Sequence, residues 1–409
     1  RLLEVAGRDA TGQVRYRFHD LVRVYARERA EAQAPSAERR AAMTRAFGAW
    51  LYLAERADAR LGNPFLEPVY GATPRWPIDQ AVTERLLVDP LAFLEAERAG
   101  LVAAVTQAAA LGMACMSWEL TSALTQFLGT RLYLDDWHRC IGQALTAARR
   151  ARDARGEAAV LLSLGHLHAI HGRHQQALDC WRAALTRFER LGDGPGRAMS
   201  LAAVALYHFD RGAFQQRQRQ AEEALAILEP GGSPQARACV LHCLGILHHN
   251  HGGLDAARQR FEEALRLRRE LGSRRGEAEL QYRLGVVLLK QGRVQAAAAL
   301  LQQTLATMRQ HGDRIGAHCV EVHLATAMVH LGRHAEARPL LEPWAHSSHP
   351  YLRGMALRAL GELHHAHGHR DRARTALREA LTLFRQLDIP IEEAITVRAL
   401  GALGDDGQG

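Results

Sequence analysis

A 40-residue period runs through the second half of the chain, and it limits the possible folds more than any single motif does. The unit is clearest from Gly156 to Gly194. There, apolar residues recur at three- and four-residue steps in two blocks, Ala159 to Ile170 and Ala177 to Phe188, separated by His-Gly-Arg-His. That spacing predicts two amphipathic helices joined by a tight turn, with Gly172 supplying a positive φ. Leu164-Gly165 recurs as Val204-Ala205, Leu244-Gly245, Leu284-Gly285 and Leu324-Ala325. After a four-residue deletion it returns as Leu360-Gly361 and then as Leu400-Gly401. The turn glycine recurs as Gly172, Gly212, Gly252, Gly292, Gly332 and Gly368. A fixed period of this size means stacked helical hairpins whose contacts are mostly with their neighbours in sequence.

The small residues carry a packing message. Glycine in mid-helix costs about 1 kcal/mol relative to alanine. The cost is understandable where a neighbouring helix passes too close for a side chain. Twelve residues after that point come Ala177, Ala257, Ala297, Ala337 and Ala373, and seven later Ala184, Ala224, Ala264 and Ala380. Trp181, Phe261 and their equivalents are placed to fill the remaining space. Arg217 stands where this alanine is expected in the second unit, which marks that unit as irregular.

This pattern resembles the tetratricopeptide repeat over six units, from Gly156 to about Leu387, plus a last first-helix at Ile391 to Leu403. The period departs from the family's usual 34 residues, so the helices are longer. The resemblance implies an all-α, right-handed superhelix with the first helices lining its concave surface. Counted from the packing glycine, the inward polar positions include Asp210, His242, Asn250, Tyr282, Arg283, Lys290, Arg358 and His365. They read either as a groove for a protein, peptide or small effector or as a solvated surface.

Upstream, Val14 to Phe18 alternate as a short strand, and Leu21 to about Ala32 follow as a helix. The string Tyr16-Arg17-Phe18-His19-Asp20-Leu21 resembles the end of the winged-helix subdomain of NB-ARC-type STAND regulators, with Phe18 in place of that family's methionine. The resemblance implies that His19 reaches the β-phosphate of bound ADP and that Asp20 caps the helix. Leu91 to Leu111 is similar to the segment leading into the repeats of actinobacterial regulators of the SARP type. No GxxxxGK[ST] loop occurs, so the implied ATPase core, and ADP or ATP with it, would lie before Arg1. The opening at Arg1 in mid-pattern reads as a fragment of a larger protein. The expected organisation is a winged-helix remnant over 1–34, a helical linker domain over 35–112, a degenerate repeat over 113–155, the superhelix over 156–403 and a disordered tail over 404–409.

Composition narrows the function. The net charge of +8 comes almost wholly from arginine, the only lysine being Lys290, and the arginines are scattered rather than clustered. This looks like the coding bias of a GC-rich genome, and DNA contact is expected only through upstream domains. Six cysteines without a CxxC fall at apolar helix positions, which suits buried thiols in a reducing cytoplasm. No apolar run reaches membrane length. Neither GxSxG nor HExxH is present, so no enzyme site and no catalytic residue are expected. Twenty-two histidines cluster at first-helix ends, but no ligand set for a metal is completed. The resulting expectation is the sensor and protein-interaction arm of a cytoplasmic, ATP/ADP-switched transcriptional regulator. In the resting state it packs on its own ATPase core, and effector binding releases it to homo-oligomerise. The alternative is a stand-alone adaptor or signalling-peptide receptor without an ATPase.

Overall fold

The computed structural model describes residues 3–9, 12–62, 67–207, 214–228, 231–310, 312–347, 350–387 and 390–405. The chain divides into two compact units, residues 1–61 with 68–164, and residues 62–67 with 165–409. One boundary falls inside a helix, between Leu164 and Gly165, and the other two fall in the linker.

The first unit opens with an antiparallel hairpin. β1 (Leu3–Arg8) pairs with β2 (Val14–Phe18), with Leu3 opposite Phe18 and Val5 opposite Tyr16. Asp9 holds the turn by accepting from the Gln13 amide (3.0 Å) and Arg15 Nε (2.5 Å). α1 (Asp20–Gln33) follows, and its cap corrects the sequence reading. His19 is the N-cap, its Nδ1 accepting from the Leu21 amide at 3.3 Å. Asp20 is already helical, and its carboxylate accepts from Arg23 Nη2 at 3.0 Å instead. The reason is register: a cap must sit outside the first turn, and the helix starts one residue earlier than the apolar pattern suggests.

α2 (Ser36–Leu61), α3 (Gln80–Leu86), α4 (Pro90–Ala110), α5 (Ala114–Thr130), α6 (Leu134–Ala151) and the first part of α7 (Ala154–Ile170) complete this unit. α3 was not expected; Asp79 caps it by accepting from the Val82 amide. Arg75, with ion pairs to Glu55 and Glu119 (2.5 Å each), anchors residues 68–79, whereas Trp76 is largely exposed. α5 and α6 form the degenerate repeat. Thr125 occupies the packing-glycine position and hydrogen-bonds Ser163 Oγ at 2.7 Å, and the buried Trp137 donates to the same oxygen at 2.9 Å. Leu132 and Arg152 adopt left-handed backbone, φ 59° and 54°, where the next repeat has Gly172 and Gly192.

The second unit stacks α8 (His174–Leu191), α9 (Gly194–Tyr207), α10 (Phe214–Ile227), α11 (Pro234–Asn250), α12 (Leu254–Glu270), α13 (Arg274–Lys290) and α14 (Val294–Gln310). It continues through α15 (Arg314–His330), α16 (His334–Ala345), α17 (Pro350–Ala366), α18 (Arg370–Gln386) and α19 (Pro390–Asp405). Small and large residues are complementary within each hairpin. A Cβ on Gly165 would overlap the Trp181 indole, and one on Gly245 would overlap the Phe261 ring. At Gly285 it would stand 2.7 Å from Leu301, and at Gly361 2.6 Å from Leu377. Ala177, Ala257, Ala297, Ala337 and Ala373 are fully buried.

The second repeat differs from the others at Arg217. Ala205 stands at the packing position with a second small residue, Ala221, sixteen positions on, and the buried Arg217 donates to the carbonyls of Ala205 (2.7 Å) and Leu206 (3.0 Å). Gly212 lies outside the described residues. The four-residue deletion falls beside α16, which carries Pro339 and Pro343 and has 12 residues against 17 in α14.

Junctions between repeats use a device not anticipated from the sequence. Asp193 accepts from the Gly196 amide (3.0 Å), and Asp313 from the Gly316 amide (2.9 Å). Those glycines admit Phe188 and Met308 from the preceding second helix.

Gly245→Leu should destabilise the chain by about 1–3 kcal/mol, the usual cost of overpacking. Leu132→Gly should stabilise it by roughly 1 kcal/mol by relieving left-handed strain. Urea unfolding of the full chain measures both.

Candidate partner-binding face

The first-helix face of the second unit centres on a carboxylate that the sequence reading passed over. Glu279 on α13 occupies the repeat position of Cys239, Cys319 and Met355. It accepts from Arg283 Nε at 2.9 Å and lies 3.8 Å from His242 Nε2. His242 is almost fully buried, edge-on to Phe261 with ring centroids 5.8 Å apart. The Arg283 guanidinium lies 4.9 Å from the centre of the Tyr282 ring. Burial works against the Arg283 charge, but Glu279 and Tyr282 override it and keep the guanidinium protonated.

Tyr282 reaches across to α15. Its hydroxyl is 3.4 Å from His323 Nδ1, but that nitrogen lies closer, at 2.9 Å, to the Cys319 carbonyl. Nδ1 therefore carries the proton and donates to the carbonyl, leaving the lone pair on Nε2. Burial lowers His323 to about 4, with Arg358, Arg283 and Lys290 adding to the effect. His249 is likewise lowered to about 4, by burial and then by Lys290. Lys290 has open surface, and yet burial depresses its ammonium. Both hold for a residue on a recessed face, where solvent reaches the side chain but protein surrounds it. Arg358, buried, pairs with Glu392 of α19 and lies over Phe384.

The sequence-derived groove residues thus separate into two sets. His242, Tyr282 and Arg358 are buried between helices and set the spacing of successive repeats. Asn250 and Lys290 are exposed, and Arg283 and His365 are half-buried, so these four offer surface to a partner. Asp210 lies outside the described residues. Sequence reasoning missed Glu279, His249 and Glu392. Only Glu279 left a signal, as a lone acid at an apolar repeat position.

His19 and Asp20 belong to the first unit and are both exposed. The expectation of buried thiols holds for Cys140, Cys239 and Cys243, and burial raises Cys140 to about 12. Cys180 and Cys319 are half-buried and Cys115 is exposed. Among the described residues no group of three or more His, Cys, Asp or Glu could hold a metal ion. No described helix is long and apolar enough to cross a membrane.

Hairpins stacked in sequence order, with a polar first-helix face, define a tetratricopeptide-repeat interaction region. Residues 156–229 and 236–310 match the tetratricopeptide repeat family model, and residues 345–388 match the model for anaphase-promoting complex subunit 5. The chain is similar to the regulatory protein AfsR of Streptomyces griseus, 31% identical over 171 residues, which is 40% of this chain and 16% of that protein. It therefore spans well under two thirds of that relative. At the level of fold it is similar to the Rap conjugation gene regulator of plasmid pLS20 in complex with the Phr* peptide, with a TM-score of 0.53 and 15% identity over 67% of this chain and 75% of that one. Aspartyl phosphate phosphatase F of Bacillus subtilis gives a TM-score of 0.51 at 13% identity over 76% of this chain and 82% of that one.

His249 and His323 have a pH consequence. Folded values near 4 against an ordinary 6.5 mean that the unfolded chain binds more protons between those limits. Stability should be complete above about 6.5 and fall as the pH drops towards 4. His323→Gln should flatten the slope of thermal midpoint against pH over that window.

Proposed function

We propose that this chain is the sensor and interaction arm of a STAND-type, ATP/ADP-switched transcriptional regulator, and that a protein or peptide effector engages the face around Arg283 and Lys290. The observation that carries this reading is an uncovered apolar surface at the start of the chain. Val5, Tyr16 and Leu21 are 66%, 64% and 74% exposed, Leu3, Phe18, Val24 and Tyr25 are also exposed, and among the described residues none of α1 is buried. A two-stranded ribbon is marginal by itself, and this many exposed large apolar side chains suit a covering partner. An upstream ATPase core is the cover this reading supplies.

The geometry of His19 supports the nucleotide role. Because Nδ1 accepts from the Leu21 amide, the neutral ring carries its proton on Nε2, which is then a donor suited to a phosphate oxygen. The similarity to AfsR supports the regulator class, and the peptide in the Rap complex supports a peptide as effector. Effector binding would favour the state released from the core, permitting nucleotide exchange.

In the full-length parent protein, His19→Ala should shorten ADP retention about ten-fold, in line with loss of one charge-assisted hydrogen bond. Retention is followed by release of labelled ADP. An unchanged release rate would remove His19 from the nucleotide site.

A further inference from the structure

The turn edge of the second unit holds a piece of the chain that comes from far away in sequence. Glu67 Oε1 accepts from Ser233 Oγ at 2.6 Å, and the Glu67 amide donates to Met199 Sδ at 3.5 Å. Ser233 is the N-cap of α11, its oxygen accepting from the amides of Gln235 and Ala236. Five residues earlier, Gly62 is buried against Ser273 at the start of α13, with φ +67°, and a Cβ there would collide with the serine hydroxyl. Gly62 and Glu67 thus meet two successive junctions.

The repeat pattern shows what is special at this edge. At the neighbouring junctions Asp193 and Asp313 supply their own anionic cap. At the two junctions touched by the segment, serine replaces aspartate, as Ser233 and Ser273. A carboxyl arriving from outside therefore completes the cap of α11, where the helix dipole favours it. The second-helix position filled by Phe188, Leu228 and Met308 is here Arg268, buried to 1% exposure, with Nη2 3.1 Å from Cys239 Sγ. Burial raises the Glu67 carboxyl, and the Ser233 hydroxyl, the Arg268 charge and the Ala236 amide pull in the opposite direction.

We infer that the edge formed by Met199, Ser233, Arg268 and Ser273 is a binding site for a glycine- and glutamate-bearing peptide, occupied here by the chain's own Gly62 and Glu67 as an intramolecular strap. The site lies on the turns between repeats, separate from the face around Arg283. It does not rest on the regulator assignment.

Hydrogen exchange on the full chain tests it. Glu67→Ala should raise exchange at the first-turn amides of α11, Gln235 and Ala236, about ten-fold. Glu67→Arg should do so more strongly, by placing a second positive charge beside Arg268. Adding a synthetic peptide of residues 61–70 to the Glu67→Ala chain should restore protection, and the same peptide with alanine for the glutamate should not. Unchanged exchange in Glu67→Ala overturns the strap. Restoration by both peptides equally overturns the reading of the carboxyl, and restoration by neither overturns the edge as a peptide site. Melting temperatures of the variants within a few degrees of the native chain show that the fold is intact; a variant that fails this is replaced by Glu67→Gln, read at the same amides.

Discussion

Close approach of two helices within each hairpin is the constraint on which the solenoid depends. Gly165 against Trp181 and Gly245 against Phe261 are two halves of one solution, since an indole or phenyl ring fits only where the facing helix has no side chain. Interiors are packed densely enough that one added carbon is felt. Where both members are small, as with Ala205 and Ala221, Arg217 enters the hairpin and binds the backbone of α9 at the Ala205 and Leu206 carbonyls.

Stacking one hairpin on the next depends on a second, polar set of contacts. Asp193 and Asp313 cap the following helix through its own backbone, each accepting one of the amides that a new helix leaves unpaired. On the first-helix face, Glu279 joins His242 and Arg283, and Arg358 reaches Glu392. Buried charge is tolerated there because each member has a partner. The same network keeps His323 neutral and Arg283 charged, and so determines what a partner would meet.

The edge that holds Gly62 and Glu67 follows the same logic with one partner moved. Serine at the start of α11 leaves the acidic role to a distant glutamate, which joins the local cap from far away in sequence. The two compact units thus do not follow the order of the chain, since six residues of the linker belong with the repeats.

The all-helical repeat architecture was legible in the sequence because it arises from local spacing. Periodic Gly and Ala residues report a close approach between the two helices of a hairpin, and that approach recurs from repeat to repeat. The surface nature of Lys290 and Asn250 was legible for the same reason. Tertiary structure decided what depends on distant partners. It buried His242, Tyr282 and Arg358, because neighbouring repeats supply Glu279, His323 and Glu392 to meet them. It made His19 the cap in place of Asp20, by a shift of one residue in helix start that periodicity cannot resolve. It also set Glu67 against Ser233, 166 positions away, because only folding brings a linker carboxyl to the start of a helix in another repeat.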